Sequence, residues 1–161
     1  MKLVIKKMRV VILCGMMSFL SEGAEAQAIE NDNFAHGIVL AADGPVQVTS
    51  TTTSATIEDG EDEVLMIFDG EWYPWSFSTV WYRWTPQVSG WCRCHTGGSA
   101  SDTVLRISKG TSLDSQTRIG WNDEAFFETE AGDGERGSGM VFWADANTTY
   151  HIAVGAFDPM M

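Results

Sequence analysis

From Thr79 to Phe157 apolar and polar residues alternate at period two, run after run, and a Gly, Ser or Asp turn punctuates each run. Successive side chains leave a strand on opposite faces, so this alternation is the mark of a half-buried β-strand. In Thr79–Thr85, Val80, Tyr82 and Trp84 share one face and Trp81 and Arg83 the other. Pro86 and Gly90 bracket a turn before Trp91–His95, and Thr103–Ser108, Thr117–Trp121, Ser138–Ala144 and Thr149–Ala156 complete the series. In the last run Tyr150, Ile152 and Val154 are expected inward, His151 and Ala153 outward. Gly37–Ala42 and Pro45–Thr53 read as two earlier strands. No stretch of more than about ten residues beyond the N-terminal segment has helical period. Many short strands joined by Gly/Asp turns predict an all-β fold, an antiparallel β-sandwich or jelly-roll-like single domain.

Seven tryptophans supply much of the expected core: Trp81 or Trp84, then Trp91, Trp121 and Trp143. An aromatic side chain buries roughly 150–250 Å², so a few suffice for a small sandwich. Trp72, Tyr73 and Trp75 differ, because they fall in a long loop, Val64 to Ser78. They are candidate ligand-binding residues, to stack on sugar rings or on a protein partner, or else to cap the open end of the core.

The first 26 residues read as a signal peptide rather than as structure. Lys2, Lys6, Lys7 and Arg9 form a basic start, Val10 to Leu20 an apolar run, and Ala24-Glu25-Ala26 a small-residue cleavage signal. The apolar run is too short to span a bilayer. The protein is therefore expected to be exported: secreted, periplasmic or at the cell surface, with no membrane insertion once the signal is removed. The whole chain carries 10 basic and 22 acidic residues, a net charge of −12. Such a surface repels phosphate backbones, which excludes nucleic acid as a partner, and it disfavours anionic membranes. Calcium, cationic surfaces and neutral polymers such as glycans remain compatible with it; the acidity also simply favours solubility.

Several blocks carry a further signal. Asn31 to Phe34 reads NDNF, Val80 to Thr85 reads VWYRWT, and Gly98 to Leu113 reads GSASDTVLRISKGTSL. Asn122 to Glu124 reads NDE, and Tyr150 to Val154 reads YHIAV. In order and spacing these blocks resemble the bacterial pre-peptidase C-terminal domain family, over residues 31–161. The resemblance implies a secreted β-sandwich module of the kind appended to exported enzymes, one that binds or positions and does not catalyse. Family members carry a further strand after the YHIAV block, so this chain is expected to lack the last strand of its sheet. The resemblance also implies calcium. An acidic N-terminal segment and a nearby loop hold the ion in relatives, and here Glu30, Asn31, Asp32, Glu58 and Glu61 occupy the corresponding positions. Clustered carboxylates suit an ion that takes six to eight oxygens. The departure is in the loop, IEDGEDE, where Asp59 and Asp62 replace the family's prolines. The other reading of Glu58 to Glu63 is a solvated loop, since five like charges in six residues cannot share a buried strand face.

Cys92 and Cys94 stand two apart on one predicted strand, so their side chains share a face. In an oxidising compartment they are candidates for a disulfide, although positions i and i+2 on an extended strand are about 6–7 Å apart, near the limit for bridging. A Cys-x-Cys-His zinc site with His95 would need a fourth ligand from elsewhere. No nucleophile elbow, zinc-protease helix or phosphate loop occurs. The expected function is thus an exported, non-catalytic binding or targeting module for an extracellular glycan or protein surface. The alternatives are a small glycan-active enzyme using two surface carboxylates and a structural fragment of a larger surface protein.

Overall fold

A computed structural model describes residues 6–7, 29–61, 76–123 and 137–157. Eight strands are present there: β1 (Lys6–Lys7), β2 (Ile38–Val39), β3 (Ser76–Trp84), β4 (Gly90–His95), β5 (Thr103–Lys109), β6 (Thr117–Asn122), β7 (Gly139–Ala144) and β8 (Tyr150–Phe157). They form two sheets, of order β1-β4-β7 and β2-β3-β8-β5-β6. The six strands from β3 onward fall where the alternation places them, and every pairing among them is antiparallel. The short β1 and β2 run parallel to β4 and β3. Apart from Lys6 and Lys7, residues 1–26 lie outside the described residues, as do Trp72, Tyr73 and Trp75.

The two sheets face each other across one core. Val80, Tyr82 and Trp84 of β3, Leu105 and Ile107 of β5, and Tyr150, Ile152 and Val154 of β8 meet Cys92, Cys94, Phe142 and Ala144 of the smaller sheet. At one end Trp84, Phe142 and Tyr150 pack as an aromatic triad, with centroids 5.4–6.5 Å apart. The Tyr150 hydroxyl is satisfied there, accepting from the Asp145 amide at 2.8 Å. At the other end a knot of hydroxyls ties the sheets together. Thr96 Oγ1 lies 2.6 Å from Thr103 Oγ1, and the Ser138 amide donates to Thr96 Oγ1 at 2.8 Å. Ser138 Oγ in turn donates to the Thr103 carbonyl.

Three expectations change. Pro45–Thr53 forms no strand: Val46 and Val48 rest against the core, but the Thr/Ser run bonds its own backbone, Thr53 N to Thr51 Oγ1 at 3.0 Å, in place of a ladder. Trp91 and Trp143 are not core residues; they are 43% and 49% exposed on the outer face of the smaller sheet. His151 and Ala153 do point away from the inter-sheet core, yet both are buried, because chain from the N-terminal segment and the β5–β6 turn covers that face. Within the larger sheet β8 is flanked by β3 and β5.

Candidate functional site

Trp81 is the centre of a second apolar cluster, on the outer face of the larger sheet, with Phe34, Ala153 and Leu113. Phe34 meets it edge-on at 5.1 Å. The N-terminal segment is fastened along β3 by the same residue. The Trp81 amide donates to the Asn31 carbonyl at 2.8 Å, and Asn31 Nδ2 returns a bond to the Trp81 carbonyl at 3.0 Å. Glu61 reaches in from the 58–61 turn and accepts from the Trp81 indole N–H, and its other oxygen accepts from the Glu58 amide at 3.2 Å. Asp32 holds Thr56 through the amide at 2.6 Å and the hydroxyl at 2.8 Å. Glu58 accepts from the Phe34 amide at 2.8 Å.

Asn31, Asp32, Glu58 and Glu61, nominated as calcium ligands, are therefore brought together, while Glu30 is exposed on the flanking turn. Their oxygens accept from N–H and O–H donors. Among the described residues no group of three or more Asp, Glu, His or Cys side chains is placed to hold a metal ion. The set forms a hydrogen-bonded clasp between the N-terminal segment, the 58–61 turn and β3. Glu61 corrects the solvated-loop expectation, being fully buried. Burial, with a smaller contribution from the nearby Glu58 and Asp32 charges, pushes its carboxyl up to about 7.

Cys92 and Cys94 share the inward face of β4 as expected, but they form no disulfide. On one extended strand the i, i+2 spacing keeps the sulfurs from bonding distance without bending the backbone. Burial and the neighbouring thiol push Cys94 up to about 12, so it is an unreactive core residue. His95 accepts from the Gly97 amide through Nδ1 at 3.2 Å, closing the turn after β4.

Comparison with known proteins adds no name to this geometry. No protein family, characterised protein or solved structure matches the chain.

Two surfaces remain. On the outer face of the smaller sheet, Trp91 and Trp143 are cross-strand partners, with centroids 5.7 Å apart and rings at 84°. Val141 extends the patch at 55% exposure, beside Arg93, its own partner across the strands. Trp143 is held in place by its indole N–H, which donates to Asp145 Oδ1 at 3.1 Å. The signal for this patch was in the sequence. Trp91 shares a strand face with Arg93, and the opposite face carries Cys92 and Cys94, so the tryptophan takes the solvent side. The other surface is a cleft of about 610 Å³ on the outer face of the larger sheet, floored by Arg83 and His151.

Proposed function

We propose that this protein is an exported, non-catalytic β-sandwich binding module of the pre-peptidase C-terminal type, and that its ligand face is the Trp91–Trp143–Val141 patch. The observation that carries this is an exposed, pre-oriented tryptophan pair on a regular sheet face of an acidic protein. Large aromatic side chains left in water on a rigid element are unusual and mark interaction surfaces. Indole faces suit the apolar C–H faces of sugar rings, and a neutral glycan incurs no repulsion from a net charge of −12. The rings stand at 84°, so they form a corner and not a plane. A corner suits one sugar of a single soluble chain, whereas a flat crystalline polysaccharide calls for coplanar rings. Family type is supported by the packing of the resembling blocks: Phe34, Trp81, Leu113 and Ala153 come from four different blocks and meet in one cluster. Residues 1–26 serve as the signal peptide in this proposal, and removing them leaves β4 paired with β7 alone.

The test is titration of the protein with soluble neutral oligosaccharides, alongside pull-down on insoluble polysaccharide. Soluble chains are expected to bind and to quench tryptophan fluorescence. Trp91→Ala and Trp143→Ala should each abolish binding while costing at most about 1 kcal/mol of stability, the loss of one cross-strand aromatic pair. Binding unaffected by either substitution refutes the assignment of the face. Hydrolysis of the same oligosaccharides, abolished by a single Asp or Glu substitution, would replace binding with catalysis.

A further inference from the structure

The cleft on the larger sheet has no part in glycan binding, and its composition is of a different kind. Arg83 and His151 on its floor are cross-strand partners on β3 and β8. Its walls come from three separated segments: the Phe34–His36 turn, the turn at Glu58 and Asp59, and the β5–β6 turn at Asp114. Gly60, at a φ of +94°, brings the second wall against the third: a Cβ built there would lie 3.4 Å from Leu113 Cδ2 and 3.5 Å from Asp114 Oδ1. A volume of about 610 Å³ is in the range for small-molecule sites.

The polar groups are lopsided and fixed. Arg83 Nε donates to the Gly37 carbonyl at 3.1 Å, which sets the plane of the guanidinium. His151 is buried, donates through Nε2 to the Gly110 carbonyl at 2.9 Å, and stacks on Phe34 at 4.4 Å. Its Nδ1 has no hydrogen-bond partner. Burial holds the imidazole below its ordinary value, opposed by the Gly110 bond and reinforced by the Arg83 charge, so it is a neutral acceptor. The cleft thus presents three carboxylates, from Glu58, Asp59 and Asp114, the first also accepting from the Phe34 amide, against one guanidinium, and the Phe34 ring shares the lining.

We propose that this cleft binds a dibasic amino acid: a small molecule with two ammonium-type cations and one carboxylate, the charge mirror of its lining. The carboxylate pairs with Arg83, the cations with the three acids, and the Phe34 ring flanks the aliphatic linker. Calorimetric titration of the full chain with L-lysine and with cadaverine, which lacks the carboxylate, tests this. L-Lysine is expected to bind saturably and more tightly than cadaverine. Asp114→Asn, an exposed substitution, should weaken lysine by about tenfold, the loss of one charge-assisted contact. Trp91→Ala lies on the other sheet and should leave lysine affinity unchanged, so this proposal and the glycan face can fail separately. No saturable heat with lysine, affinity indifferent to Asp114→Asn, or equal affinity for cadaverine overturns the assignment.

Discussion

Glu61 has no exposed surface, although it belongs to a run of five acids in six residues. A buried carboxylate is tolerated where donors meet both oxygens, and Trp81 and Glu58 supply them. Its carboxyl is raised from 4.5 to about 7, so the folded state holds this proton more tightly than the unfolded chain. The stability it contributes is complete below about pH 4.5 and is lost as pH rises through about 7. His151 works the other way: its lowered value means that stability is lost as pH falls below the ordinary histidine range. The two slopes have opposite sign in the native protein. Glu61→Gln keeps the shape and removes one slope, so its stability relative to the native protein should rise steadily between pH 4.5 and 7. Urea unfolding at several pH values measures this; a constant difference would refute a raised carboxyl.

At the scale of elements, the hydroxyl knot at the β4–β5 turn does what apolar packing does elsewhere in the core. Ser138 bonds Thr96, Thr103 and the Asp123 carbonyl, joining the start of β7 in one sheet to β5 in the other. Ser138→Ala should cost about 1–3 kcal/mol, since it strands buried acceptors without water; a denaturant midpoint within error of the native one would show the knot to be dispensable. Seven of the eight strands in the described residues were legible in the sequence, β2 inside Gly37–Ala42 and the six from β3 onward, the latter because period two survives wherever one face is buried. Pro45–Thr53 was misread because threonine's strand preference and its habit of bonding nearby backbone point in opposite directions. The candidate site was legible only in part. Asn31, Asp32, Glu58 and Glu61 come together in the clasp, but which donor answers each carboxylate depends on residues some twenty or more positions away. Trp91 and Trp143 were assigned by hydrophobicity alone; Arg93 on the same face of β4 points Trp91 outward, and strand pairing puts Trp143 beside it.

For the molecule as a whole, the clasp fastens the N-terminal segment to the larger sheet. Asp32, Glu58 and Glu61 already hold the N-terminal segment to β3 through protein donors. The melting midpoint should therefore be the same in millimolar calcium and in chelator. A rise with calcium that chelation reverses would show that those carboxylates ligate the ion instead.

The order of the larger sheet has a consequence in time as well as in space. β8 lies between β3 and β5, so two strands made early share a neighbour that is made late. At about 5–20 residues per second, a ribosome leaves β3 waiting several seconds for the strand that completes it. Every contact of the sheet's middle is long-range, which slows folding. A chain built this way stays loose while it is being made, and that is the state in which a polypeptide can still be threaded through a narrow channel.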